Sequence, residues 1–169
     1  MSWSIVNNAF DCPQINPKRK YKRCNEYMLE LEVVKDQTMN NESRSRVIDS
    51  RFAKFRATCL RPVKIYDTKT GLFVDEIMHQ CGSFSIVYKV GTIAYPDKFD
   101  PDLEKICTHG LHYFNSLLAA YWFTISRLKE DVEFLENGQI RKVCQSSQLS
   151  DVQWIAAKFG LVNASFYSA

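Results

Sequence analysis

The sequence predicts an α+β fold: a small, mostly antiparallel sheet over residues 52–95, with a core helix packed across it. Three observations carry this. Residues 55–95 break into short β-prone runs separated by turn residues. Leu118, Tyr121, Trp122, Ile125 and Leu128 recur on one helical stripe, as a core-facing helix requires. Asn137-Gly138, between alternating flanks, is the strongest short hairpin signal in the chain. An apolar fraction of 46% with 13% aromatic residues excludes a disordered chain, and 169 residues suffice for one real core with appendages.

Residues 1–20 hold Pro13, Pro17 and several Asn, and read as an extended arm. Lys18, Arg19, Lys20, Lys22 and Arg23 then put five positive charges into six positions. The other 17 basic residues face 19 acidic ones, so the body is near neutral although the net charge is +3. The cluster reads as a solvated loop, a strip for an acidic partner or phosphate, or a nuclear-localisation signal. Nucleic-acid binding through it is possible but not favoured, because such proteins are usually basic throughout.

Asn25–Val34 alternates, with Tyr27, Leu29, Leu31 and Val33 on one face, and predicts a strand. Residues 35–45 are polar and read as a loop. Phe55–Leu60 and Val63–Tyr66 are two β-type runs separated by Arg61-Pro62. Asp67–Gly71 is a turn, and Leu72–Met78 returns as a strand. Ser85–Val90 alternates again, Gly91 permits a bend, and Pro96 stops the ladder before an acidic loop from Asp97 to Asp102. Asn115 or Ser116 caps the expected core helix. A hairpin over 132–143, a Ser150-capped helix over 151–159 and an apolar tail with Phe166 and Tyr167 follow. A tail of that composition should pack on its own body or on a neighbour. The expected units are 1–51 (arm, strand and loop), 52–128 (central domain) and 129–169 (hairpin, helix and tail).

No apolar run approaches bilayer-spanning length, and Met1–Ala9 lacks the charged and apolar regions of a signal peptide. The expectation is therefore a cytosolic chain whose six cysteines, Cys12, Cys24, Cys59, Cys81, Cys107 and Cys144, stay reduced.

The densest chemistry is Cys107-Thr108-His109-Gly110-Leu111-His112, one thiol and two imidazoles within six residues. Cys107, His109 and His112, with Cys81 or His79 as a fourth donor, are the right atom types for tetrahedral zinc. Their spacing matches none of the common zinc patterns. A second reading makes Cys107 a nucleophile activated by a histidine and oriented by Asp100 or Asp102. A purely structural reading gives Gly110 a sharp backbone, puts Leu111 and Phe114 in the core and lets His112 bond a backbone carbonyl. It explains every motif residue without a reaction, and no cofactor or catalytic residue is expected.

With Tyr88–Thr92 and Pro96–Asp102 upstream, the segment resembles a small domain of large DNA virus and bacteriophage proteins, built around a C-x-x-G-[IL]-H core. Residues 52–123 carry the resemblance through Cys107, Gly110, Leu111 and His112. It implies a viral setting more than a reaction. The functional expectation is a non-enzymatic virion protein of a large double-stranded DNA virus, a minor capsid or capsid-associated component. Its partners are other capsid or virion proteins, and it is found in the host cytoplasm during assembly. The basic cluster and the Phe166/Tyr167 tail would grip neighbours. The alternative is a small cysteine/histidine enzyme or a zinc module.

Overall fold

The computed structural model describes residues 15–45, 47, 50 and 53–122. They form seven strands: β1 Lys20–Cys24, β2 Tyr27–Glu32, β3 Lys54–Ala57, β4 Arg61–Asp67, β5 Glu76–Cys81, β6 Phe84–Lys89 and β7 Leu111–Phe114. Five make an antiparallel sheet in the order β3-β7-β1-β2-β4, while β5 and β6 form a separate hairpin. The sheet is continuous across residue 52, because β1 and β2 lie between β7 and β4.

This is a mostly antiparallel β fold, and the expected α+β architecture is corrected. A six-residue helical turn, α1 (Leu117–Trp122), is all the helix among the described residues. Ser116 caps it, its Oγ accepting the Ala119 N–H at 3.1 Å. The stripe that suggested a long core helix runs on to Ile125 and Leu128, which lie outside the described residues. Among the described residues the core is built mainly from strands. Leu29, Leu31, Phe55, Ile65, Leu111 and Tyr113 of the sheet cluster with Ile77, Ile86 and Tyr88 of the β5–β6 hairpin. A hairpin with alternating apolar residues thus packs onto the core of the sheet.

The local chemistry explains the strands. β1 and β2 join through Asn25-Glu26, with Cys24 opposite Tyr27 and Asn25 at φ 54°, a left-handed conformation that Asn tolerates. In β2 the core residues Leu29 and Leu31 fall on the face that alternation predicts. Pro62 does not divide two strands. It sits within the edge strand β4 at a bulge, where Lys64 faces Glu30 and Pro62 faces Leu31, so Val63 is the extra residue. The turn after β4 is tied by the Asp67 carboxylate, which accepts the N–H groups of Lys69 (2.7 Å) and Thr70 (3.2 Å). β5 begins at Glu76, later than expected, and Phe73 makes only an isolated bridge to Tyr66.

The expected C-terminal hairpin, final helix and tail lie outside the described residues, as do residues 1–14 of the arm.

Candidate functional site

The long connection from β6 to β7 has almost no ladder of its own, so its carbonyls need partners from elsewhere. Arg56, in the middle of β3 and 0% exposed, supplies donors to four of them. Its Nε donates to the Lys105 carbonyl (2.9 Å), Nη1 to those of Asp100 (2.6 Å) and His109 (3.3 Å), and Nη2 to that of Asp102. The guanidinium also lies 4.7 Å from the centre of the Phe99 ring. Asn41 completes the clamp. Its Nδ2 donates to the Leu103 and Lys105 carbonyls, both at 3.2 Å, and its Oδ1 accepts the Arg56 N–H at 2.9 Å. Two buried polar side chains therefore fix the acidic loop by its backbone.

The motif follows directly on this clamp. Gly110 has φ 146°, and a Cβ there would meet the Arg56 Cβ at 3.1 Å and the Phe99 ring at 3.2 Å. Only glycine lets the chain pass so close to the arginine stem. Leu111 then enters the core at 1% exposure, and β7 pairs with β3 and β1. The His112 Nε2 donates to the Thr108 carbonyl at 2.8 Å, tying the motif back onto its own turn. The Thr108 hydroxyl donates to the Asp100 carboxylate at 2.9 Å, and Lys105 stands 3.3 Å from the same oxygen. The Asp102 backbone N–H bond, then Thr108 and Lys105, hold Asp100 down at about 2.

Burial, then the charges of Lys54 and Lys22, pushes His112 down to about 3, and burial with Lys22 pushes His79 down to about 4. Both rings are neutral at pH 7. As pH falls below about 6.5, the unfolded chain takes up protons at these histidines before the folded one does. Stability should therefore drop from about pH 6.5 downward. Asp100 adds a loss in the same direction only below about pH 4. Urea midpoints measured from pH 7 to pH 4.5 test this: a steady fall, shallower in His112→Gln, is expected. A flat profile would contradict it.

Between the β5–β6 hairpin and residues 107–110 lies a cleft of about 520 Å³, lined among others by Lys22, Cys81, Tyr88, Cys107, His109 and His112. Of the five residues read as zinc candidates from the sequence, Cys81, Cys107, His109 and His112 thus share one cleft, and His79 is not in its lining. No three His, Cys, Asp or Glu groups converge as metal ligands among the described residues. Two ring nitrogens are already engaged, His112 Nε2 on Thr108 and His109 Nδ1 on Asp97 at 3.0 Å. The acid facing a histidine is Asp97, not Asp100 or Asp102. Cys107 is exposed, and its sulfur lies 3.6 Å from the Lys54 Nζ.

Three residues of the basic cluster, Lys20, Lys22 and Arg23, are part of the sheet in β1. Lys20 is 8% exposed, and its ammonium donates to the Glu42 carboxylate and the Asn115 side-chain oxygen, both at 2.7 Å. Tyr113 donates to the same Glu42 oxygen at 2.6 Å. Lys22 donates to the His112 carbonyl at 3.1 Å, and Arg23 Nε to the Asn25 carbonyl at 2.9 Å. Arg19 lies 3.7 Å from Glu32, while Lys18 is exposed in a turn. Phe166 and Tyr167 lie outside the described residues.

Sequence reasoning missed Asn41, Arg44, Lys54 and Arg56. The Lys54-Phe55-Arg56 alternation in a β-type run was the available signal, since a charged residue beside a core aromatic has to be either exposed or clamped.

A family model, that of a family of unknown function (DUF5758), matches residues 8–120. No curated protein and no solved structure matches the chain.

Proposed function

The chain belongs to the DUF5758 family, and we propose that it is a non-enzymatic structural protein of a large double-stranded DNA virus, a capsid-associated component bridging larger subunits. The viral setting comes from the C-x-x-G-[IL]-H resemblance. The observation that carries the bridging role is the outer face of the β5–β6 hairpin. Met78 and Val87 stand directly opposite each other there, 72% and 51% exposed. They are framed by the Glu76–Lys89 ion pair at 4.0 Å and the Ser85–Gln80 hydrogen bond at 2.5 Å. Leu72 and Phe73 add exposed apolar surface on the approach to β5. Apolar pairs at the centre of a polar-rimmed face suit protein docking.

The hairpin's outer edges add main-chain capacity. No backbone bond joins the outer edge of β6 to another described segment, and an extended strand of a capsid subunit fits there by strand addition. Gly110, Leu111 and His112 of the motif meanwhile are occupied in holding the fold. No helix among the described residues is long and apolar enough to cross a membrane.

The test is fractionation of purified particles with quantitative mass spectrometry of the shell. Recovery in fixed ratio to capsid subunits is expected for the wild type, with loss of incorporation for a folded Met78→Asp/Val87→Lys variant. Absence of the wild type from particles would overturn the virion role. Normal incorporation of the variant would overturn the docking face.

A further inference from the structure

The outer edge of β6 has a sequence that matches itself. The Val90 N–H donates to the Asp75 carbonyl at 2.9 Å, one step beyond the Glu76–Lys89 pair. Bonded and unbonded positions alternate along an antiparallel ladder. Phe84, Ile86 and Tyr88 therefore bond to β5, while Ser85, Val87 and Lys89 turn their N–H and C=O groups to the outer edge. Of these groups, the Lys89 carbonyl alone has a backbone partner among the described residues, the Thr92 N–H at 3.0 Å in the turn that ends the strand.

The usual guards of such an edge are missing. β6 carries no proline, and its register with β5 has no bulge. Its one charge, Lys89, stands at the end of the strand and is already answered by Glu76 at 4.0 Å. Symmetry then selects a register. When two identical strands pair about a twofold axis perpendicular to the sheet, facing residues share a face and outward groups meet outward groups. An axis at Val87 sets Val87 against its own copy and Ser85 against Lys89. On the face shared with Ile86 and Tyr88, it sets Phe84 against Val90. Phe84 and Val90 are each 37% exposed, so every exposed apolar side chain of this edge gains an apolar mate. Lys89 meets a neutral serine rather than a second charge. Met78 lies beside Val87, so one apolar stripe runs across the seam from Met78 of one copy to Met78 of the other. An axis at Ile86 would set Val87 against Ser85 and Phe84 against the fully buried Tyr88, and an axis at Tyr88 would set Val87 against Lys89.

We propose that the occupant of this edge in the free protein is a second copy of the chain: two β6 strands pair antiparallel about an axis at Val87 and join the two hairpins into one continuous sheet. The proposal rests on the docking edge described above and names what holds it before assembly. A capsid strand takes the edge by displacing the second copy. The seam is one short strand long, so the dimer is weak, with a dissociation constant in the micromolar range.

Sedimentation of the full chain over a concentration series reads the mass, and amide exchange followed by NMR reads the surface. The wild type should pass from one chain to two. As it does, the Ser85, Val87 and Lys89 amides should slow about tenfold, while those of Ile86 and Tyr88 are protected at every concentration. Val87→Lys, at an exposed position, brings two ammonium groups together on the axis and should raise the dissociation constant about a hundredfold, whereas Val87→Ile should keep the dimer. A monomer at every concentration would overturn the proposal. So would a dimer whose Ser85, Val87 and Lys89 amides stay fast, or one that Val87→Lys leaves intact. A monomer still incorporated into particles overturns the dimer alone, and a dimer absent from particles overturns the virion role alone.

Discussion

Replacing Gly110 with alanine should destabilise the protein by about 3 kcal/mol, from left-handed backbone strain and overpacking together. The φ of 146° is one that a residue with a Cβ rarely adopts, and the added methyl has nowhere to go. The Arg56 Cβ at 3.1 Å belongs to a strand and cannot swing aside, and the Ala57 carbonyl closes the site at 3.4 Å. The Phe99 ring at 3.2 Å could move only by leaving the guanidinium it covers. Urea unfolding measures the effect, and valine should be worse than alanine. A loss below about 1 kcal/mol would mean that the loop relaxes around a side chain, and that the glycine answers some need other than close approach.

How much of this was legible in the sequence depended on whether a residue's role is local. β2 was readable because Leu29 and Leu31 obey a period of two, and the 67–71 turn because Asp67 and Gly71 carry their own turn chemistry. β1 was not. Five charges in six positions look like a solvated loop, and Lys20 becomes a core residue only because Glu42 and Asn115 come from distant segments to meet its ammonium. The core helix was expected from a real helical stripe, but which element covers a sheet is settled by competition, and the β5–β6 hairpin offers Ile77, Ile86 and Tyr88 to the same core. In the motif, glycine, leucine and histidine were read for backbone, core and carbonyl bond, which is where they stand. The gathering of Cys81 with Cys107 on one cleft depended on the hairpin folding back over residues 107–110, a long-range event with no sequence period. The least legible residue was Arg56, since nothing local says that an arginine in a strand will spend its donors on a loop more than 40 residues away.

That arginine gives the second large effect. Arg56→Met keeps the apolar stem and removes the fork, leaving the Asp100, Asp102 and Lys105 carbonyls short of a donor. Stability should fall by about 4 kcal/mol, the range expected when one member of a buried charged network is removed. Arg56→Lys should recover little of this, because a single ammonium on a flexible stem cannot reach carbonyls that a planar fork meets from three nitrogens. Location distinguishes this from ordinary core damage. The Asn41 bonds to Leu103 and Lys105 remain in the variant, so the loop should loosen from its two ends while the sheet persists. Hydrogen exchange should show fast amides over residues 97–110 and near-native protection in β1, β2 and β4. If Arg56→Lys instead keeps wild-type stability and a protected loop, the loop is held by its own carboxylate and Asn41 bonds, and the arginine is a packed stem whose fork is dispensable.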